Sequence, residues 1–247
     1  ISSRAFKECS SLKNIEIPSS VTAIGIGDSV FSGCSSLVSV EIPSSLTYIG
    51  MDVFSGCSSL TEIKVDSNNK EYADENGILY DKNKTKLICY PIGKTEKSFI
   101  IPSSVTSIER YAFRECNNLV NIEIPSSVTK IGQGAFESCS RLASIKIPSG
   151  VKYIGSQAFY WCSSLASIEI PSSVTSIEAL AISKNTVIYV QADSKAHKYA
   201  EEGKYAYVLS GNANNISTNY KIEEEKIWDI SKNQDGSVMA KWTLSDK

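Results

Sequence analysis

The sequence predicts an α/β-type repeat solenoid, with a parallel β-sheet on one face of each coil and short helical turns on the other. Two observations predict it. One pattern with a period of about 23 residues, which is typical of stacked repeats, recurs six times, at residues 5–24, 30–49, 53–65, 112–131, 135–154 and 158–177. Prolines recur at the same constant interval, at Pro102, Pro125, Pro148 and Pro171. A fixed period of this length indicates units that bury their apolar faces against their neighbours.

Within one repeat, the order of residues predicts a strand, a turn and a return segment. In the fifth copy, Ile145 and Ile147 alternate with polar residues, as the residues of a half-buried strand do. Pro148 lacks an N–H and ends the strand. Gly155 then allows another bend, and a short helical turn is expected to bring Phe159 into the core.

Two residue types hold a fixed position in the copies and predict the core. Six phenylalanines are expected to stack roughly 4.8 Å apart: Phe6, Phe31, Phe54, Phe113, Phe136 and Phe159. Six cysteines hold another position: Cys9, Cys34, Cys57, Cys116, Cys139 and Cys162. We expect buried free thiols there, because free cysteine behaves as a small apolar side chain. Disulfides between neighbouring coils and metal binding are the alternatives.

The string IPSSVTSI–AF–CSSL–SI–IP resembles the BspA-type leucine-rich repeat family, over about residues 1–209. The resemblance implies a right-handed leucine-rich repeat solenoid on the surface of a bacterium or secreted from it. It also implies an adhesive role, which periodicity alone does not indicate.

Residues 66–98 interrupt the array, and two segments in them, 77–81 and 85–90, are predicted to form a β-hairpin. We expect this insertion to pack on the solenoid edge, with a functional projection as the alternative. The predicted solenoid spans residues 1–209 and ends in a C-terminal cap at 191–209. In that cap, Ser194 begins a helix, Gly203 ends it, and His197 is expected to be solvated. Residues 210–222 are predicted to form a linker and residues 223–247 the start of a second small β module.

Composition and motifs exclude several classes of function. A net charge of −2 does not indicate the basic surface that nucleic-acid binding requires, and no apolar run is long enough to predict membrane insertion. The sequence contains no nucleophile elbow, phosphate-binding loop or HExxH motif, and it has a single histidine. We therefore expect a monomer with no catalytic residues, no metal and no cofactor.

An aromatic anomaly in the sixth copy is the sharpest candidate site. The two residues before the repeat cysteine are small or charged in the other copies, but here they are Tyr160 and Trp161, and Tyr153 precedes them in the same coil. Exposed tyrosine and tryptophan are favoured anchors of protein interfaces. The alternative is that these rings cover an edge of the next coil or the C-terminal cap.

A second candidate surface follows the strands. Glu123, Lys146 and Glu169 share one strand position and are expected to alternate in sign across neighbouring strands. They form either a partner-binding face or a solvated one.

These features predict a non-catalytic, extracellular interaction or adhesion module that binds a host or matrix protein or another cell. The alternative is a carbohydrate-binding protein, or a component of a glycan-processing enzyme.

Overall fold

The computed structural model describes residues 1–25 and 29–210, and beyond them the backbone of three short stretches, 216–217, 228–232 and 238–242. The chain divides into two compact units, Ile1–Ser217 and Thr218–Lys247. The predicted linker and second module lie outside the described residues, apart from those strands. In the described part, no helix has the length and apolar character needed to cross a membrane.

The first unit is a solenoid of short strands joined by turns. Its strands are β1 (Asn14–Ile15), β2 (Ala23–Ile24), β3 (Ser39–Ile42), β4 (Tyr48–Ile49), β5 (Glu62–Val65), β6 (Tyr72–Glu75), β7 (Ile78–Asp81), β8 (Lys86–Cys89), β9 (Ser98–Ile100), β10 (Ser107–Ile108), β11 (Asn121–Glu123), β12 (Lys130–Ile131), β13 (Ser144–Ile145), β14 (Tyr153–Ile154), β15 (Ser167–Ile170), β16 (Ser176–Ile177), β17 (Val187–Val190), β18 (Tyr207–Leu209) and β19 (Ile216–Ser217). One helix, α1 (Lys195–Glu202), lies between β17 and β18. In the second unit, β20 (Trp228–Lys232) pairs antiparallel with β21 (Val238–Trp242).

Each coil contributes one strand to each of two parallel rows. We call the row β1, β3, β5, β9, β11, β13, β15 and β17 the front sheet, and the row β2, β4, β8, β10, β12, β14 and β16 the back sheet. Partners in adjacent coils lie one repeat apart, as Asn121 and Ser144 do. Both rows break at the same place, because β5 does not pair with β9 and β4 does not pair with β8. The predicted solenoid is confirmed, and it consists of two blocks, β1–β5 and β8–β18.

The segment expected to be a helical turn is instead a run of hydrogen-bonded turns. In the fifth copy, Glu137 N–H donates to Gly134 O at 3.0 Å and Cys139 N–H donates to Phe136 O at 3.2 Å. Within the described residues, α1 is the one α-helix. In each of the six copies the chain reverses through two left-handed residues, such as Gln157 (φ +59°) and Trp161 (φ +59°), and this prevents a helix from continuing.

Gly155 serves close packing between coils, and the positive φ of the bend belongs to Gln157. A Cβ added at Gly155 would lie 2.5 Å from the backbone nitrogen of Gln133 in the preceding coil. The expectation that Gly155 supplies the bend is therefore wrong, since the glycine is needed where two backbones approach.

The phenylalanine ladder is confirmed, with one substitution at the break. Phe113, Phe136 and Phe159 stack at centroid distances of 5.1 and 5.2 Å, nearly parallel. In the coil of β8 and β9, where the pattern has no phenylalanine, Tyr90 stacks on Phe113 at 5.2 Å. The described rings therefore form two stacks, Phe6–Phe31–Phe54 in the first block and Tyr90–Phe113–Phe136–Phe159 in the second.

The repeat cysteines are free, and five of the six are buried. Their thiols donate to the backbone of the preceding coil: Cys139 Sγ lies 2.9 Å from Phe113 O, and Cys162 Sγ lies 3.0 Å from Phe136 O. Burial raises the pKa of Cys162 to about 12. Cys9 differs from the other repeat cysteines, because it is exposed in the first coil that the structure describes.

The insertion forms a partition inside the solenoid. The two predicted hairpin strands are confirmed as β7 and β8, and β6 adds a third strand antiparallel to β7. Along β7, Ile78 and Tyr80 belong to the core of the second block, whereas Leu79 belongs to the core of the first. Since side chains alternate along a strand, β7 separates two cores with its two faces.

The hairpin also covers the open strand edges of the first block. Ile63 N–H donates to Gly77 O at 2.9 Å, and Val65 N–H donates to the Asp74 carboxylate at 2.8 Å. On the back sheet, Ile49 N–H donates to the Tyr72 hydroxyl at 2.9 Å. The insertion thus satisfies the edge amides that the missing neighbouring coil would have paired.

At the C-terminal end of the solenoid, α1 packs against β16, β17 and β18. The Ser194 hydroxyl accepts the His197 N–H at 3.0 Å and caps the helix, and Gly203 follows its last residue. The expectation that His197 is solvated is wrong. Its side chain is 13% exposed and lies 3.4 Å from Glu201 and edge-on to Tyr207.

Candidate functional site

Tyr160 and Trp161 form a stacked aromatic pair on a turn of the sixth repeat. Their ring centroids lie 5.1 Å apart with planes inclined by 28°. Trp161 is 62% exposed, and Tyr160 is half-buried. The alternative that Trp161 covers the next coil is inconsistent with this exposure.

The backbone conformation at position 161 makes tryptophan an unusual residue there. Trp161 has φ +59°, a left-handed conformation that costs a non-glycine residue roughly 1–2 kcal/mol. The same repeat position is left-handed in the other copies: Glu8, Gly33, Gly56, Glu115 and Ser138. Neither backbone preference nor burial favours a tryptophan there. The glycines at this position in two copies are the sequence signal that could have revealed the strained backbone.

The turn that carries the pair is held from both neighbouring coils. Trp161 N–H donates to the Ser183 hydroxyl at 2.7 Å, and Tyr160 O accepts from Ser138 N–H at 2.9 Å. The Ser183 hydroxyl donates to Phe159 O at 3.3 Å, which is the kind of bond that the repeat cysteines make to the phenylalanine carbonyl of the preceding coil. The aromatic pair therefore projects from a fixed backbone and loses little backbone entropy when a partner binds.

Tyr153 is not part of this pair. It lies in β14 of the back sheet, between Lys130 of β12 and Ser176 of β16, and it is half-buried. Among the described aromatic contacts, the ring of Trp161 stacks with Tyr160 and not with Tyr153. The sequence groups the three residues in one coil, whereas the structure brings two of them together.

The charged row on the front sheet has the expected register. Lys146 is bridged to Glu169, and the pairing of β11 with β13 continues toward Glu123 and Lys146. All three side chains are exposed, and none forms an ion pair within 4 Å in the described part of the chain. Glu123 and Lys146 line a shallow groove together with Ser98, Ile100, Asn121 and Ser144.

A notch that the sequence does not predict opens where the two blocks meet. Twelve residues separate Lys86 from Ser98, whereas fourteen separate their partners Ser107 and Asn121. The turn of this coil is therefore shorter, and a cavity of about 500 Å³ lies between residues of the two blocks. Its lining includes Tyr48, Met51, Asp52, Tyr90, Arg110 and Arg114.

A charge cluster at the notch joins the blocks. Arg114 Nη1 lies 2.8 Å from Asp52 Oδ2, and Arg114 Nη2 lies 3.6 Å from Glu137 Oε1. Burial raises the pKa of Asp52 and of Glu137, although Arg114 opposes both shifts. Burial lowers the pKa of Arg114, but the charges of Asp52 and Glu137 outweigh it and raise that pKa overall. The cluster ties coils together and gives no nucleophile–base pair.

In the described residues, no group of three histidine, cysteine or acidic side chains is arranged to hold a metal ion.

The BspA type leucine-rich repeat region matches this chain in six copies, over residues 1–87 and 92–222. No curated protein shows significant similarity to the sequence.

Two solved structures of leucine-rich proteins are similar to the chain. A leucine-rich repeat protein from Eubacterium ventriosum has 31% identity and a TM-score of 0.66, over 84% of this chain and 57% of its own. A leucine-rich cell surface protein from Faecalibacterium prausnitzii has 28% identity and a TM-score of 0.67, over 89% of this chain and 66% of its own. The chain therefore spans less than two thirds of the length of either protein.

The pneumococcal vaccine antigen PcpA shares the fold, with 19% identity and a TM-score of 0.60 over 82% of this chain and 69% of its own. The repeat pattern, the two parallel sheets and the family match agree with one another. The chain belongs to the BspA-type leucine-rich repeat family.

Proposed function

We propose that this chain is a non-catalytic interaction module of a bacterial cell-surface protein, which binds a host or matrix protein or another cell. One observation carries the proposal: Trp161 is exposed and held in a left-handed backbone conformation that favours glycine. A residue that contributes little to folding and is costly to the backbone is best explained by what it contacts outside the chain.

The geometry of the aromatic pair supports a protein partner. Tryptophan and tyrosine are enriched among the residues that dominate binding energy, and their rigid rings cost little entropy to bury. Trp161 and Tyr160 offer two stacked rings on a fixed turn. The extended faces of a solenoid suit the remainder of such an interface.

The surface location is supported by the relatives. The Faecalibacterium protein is a cell surface protein, and PcpA is a vaccine antigen. We propose the same extracellular setting for this chain, and a role without catalysis, since the structural relatives are repeat proteins.

The test compares two glycine substitutions at equivalent left-handed positions. Trp161→Gly removes the ring, and Ser138→Gly is the matched control in the preceding coil, with φ +60°. Binding to immobilised fibronectin, laminin and collagen is measured by biolayer interferometry. We expect Trp161→Gly to weaken binding about ten-fold or more and Ser138→Gly to leave binding unchanged. Both variants should keep or raise the melting temperature by a similar amount, because glycine relieves the left-handed backbone strain at either position.

Equal binding by wild type and Trp161→Gly to each matrix protein that is bound would contradict the assignment of the pair. A large fall in the melting temperature of Trp161→Gly would instead identify Trp161 as a packing residue.

A carbohydrate partner is the second candidate, because aromatic faces also stack on sugar rings. Trp161 is exposed and offers a ring for such a contact, with Tyr160 stacked against it. A glycan array separates the candidates: binding to defined glycans that is lost in Trp161→Gly, without binding to the matrix proteins, would favour the carbohydrate.

A further inference from the structure

The break in the front sheet leaves one strand with a single neighbour. β9 pairs in parallel with β11 and with no other strand in the described chain. On the side of β9 that faces the break, the array has no next strand. This unpaired side of β9 is a candidate binding surface.

The direction of the β9 backbone groups follows from its hydrogen bonds. Ile101 N–H donates to Glu123 O at 3.0 Å, and Lys97 O accepts from Asn121 N–H at 3.1 Å. In a parallel pair, alternate residues direct their N–H and C=O groups to opposite sides. Ser98 and Ile100 therefore direct theirs away from β11, where no described residue pairs with them.

The insertion covers only the other side of the break. Its Gly77 and Asp74 pair with the amides of β5, as described above. No equivalent bond reaches Ser98 or Ile100 from the described residues, and Ser98 is exposed. The β9 edge is thus a short row of unpaired backbone donors and acceptors, which is a template for a further strand.

The outward-facing side chain of this edge strand, Ile100, carries no charge that would discourage pairing with another strand. Natural edge strands are commonly blunted by charged side chains. Ile100 is 69% exposed, and it holds the strand position at which the other copies have a charge. Those residues are Glu16, Glu41, Lys64, Glu123, Lys146 and Glu169. The edge of β9 is therefore apolar where a charge would be expected.

A free cation lies at the start of the edge. Lys97 is exposed, and among the described residues it lies within ion-pair distance of no acidic group. A carboxylate on a docked segment would be favoured at that end, and an apolar side chain would be favoured opposite Ile100.

We propose that the free edge of β9 docks an extended peptide segment of a partner protein by strand addition, with an acidic residue near Lys97 and an apolar residue opposite Ile100. Main-chain hydrogen bonds to Ser98 and Ile100 supply the affinity, and the two side chains supply the selectivity. This surface is separate from the aromatic pair of the proposed function, so a negative result for one proposal does not contradict the other.

Hydrogen exchange of the free protein provides the first test. The amides of Ser98 and Ile100 are expected to exchange at least about ten-fold faster than those of Phe99 and Ile101, which point toward β11. Equal protection of the four amides would overturn the proposal, because the edge would then be covered.

The second test uses a fluorescein-labelled peptide that copies residues 95–102 with glutamate in place of the lysine at position 97. In parallel register this probe sets an isoleucine opposite Ile100 and a glutamate opposite Lys97. Fluorescence anisotropy is expected to give saturable binding with a dissociation constant below about 1 mM, and bound peptide should slow exchange at Ser98 and Ile100. The same peptide with N-methyl groups on alternate amides should not bind, since it cannot form the ladder.

The variant Ile100→Lys introduces the kind of charge found in the other copies, beside Glu123 across the strand pair. We expect it to weaken peptide binding about ten-fold while the protein stays folded. Glu41→Lys is the matched control, because β3 is flanked by β1 and β5. Equal loss in both variants would overturn the proposal, as would absence of binding to wild type at about 1 mM or equal binding of the N-methylated peptide.

Discussion

Because β7 separates the cores of the two blocks, we predict that a core substitution in one block lowers the stability of that block and leaves the other nearly unchanged. Leu79 is fully buried in the core of the first block, and Phe136 is fully buried in that of the second. A buried leucine or phenylalanine replaced by alanine costs about 2–5 and 3–5 kcal/mol respectively. In a repeat array, that loss falls mainly on neighbouring coils.

Amide hydrogen exchange measured by mass spectrometry reports each block. Leu79→Ala is expected to speed exchange in β1, β3 and β5 about thirty-fold or more, with little change in β13 and β15. Phe136→Ala is expected to do the reverse. Each variant is the control for the other, since both remove a fully buried side chain.

A uniform increase of exchange across both blocks in either variant would refute the reasoning. It would mean that the solenoid opens as one cooperative unit and that β7 does not separate two cores. No change in either variant would contradict the burial itself.

Two further predictions concern titratable side chains. Thiol labelling of the native protein should modify Cys9 rapidly and leave the five buried repeat cysteines unreacted, while denaturation should release all seven thiols; rapid labelling of five or more in the native state would contradict the buried slot. Burial raises the pKa of Glu137, so the folded state binds its proton more tightly than the unfolded state does, and its contribution to stability falls as pH rises from the ordinary glutamate pKa through the raised one. Glu137→Gln should therefore be more stable relative to wild type at pH 7 than at pH 4 in urea titrations, and a relative stability independent of pH would contradict the shift.

The aromatic site was only partly predictable. The sequence identified Tyr160 and Trp161, because they depart from a rule that the other copies follow. It grouped Tyr153 with them, whereas the structure places Tyr153 in β14 of the back sheet, since position in one coil does not say which face a side chain joins. The left-handed backbone of Trp161 follows from bonds to neighbouring coils, which the residue type does not indicate.

The sequence by itself determined the regular part of this protein. Its constant repeat period sets which residues are neighbours in adjacent coils, so strand register, the phenylalanine ladder and the cysteine positions follow from it. The local alternation of apolar and polar residues also predicted both strands of the hairpin.

Only the tertiary structure decided what happens where the period fails. At the break, Asp52 meets Arg114, Leu79 and Tyr80 enter different cores, and β9 keeps a free edge. The separation of Asp52 and Arg114 in the sequence is not a multiple of the repeat period. All three features depend on the path that the insertion takes through the core. The periodic pattern carries no information about that path, because it specifies contacts only between equivalent positions of adjacent coils.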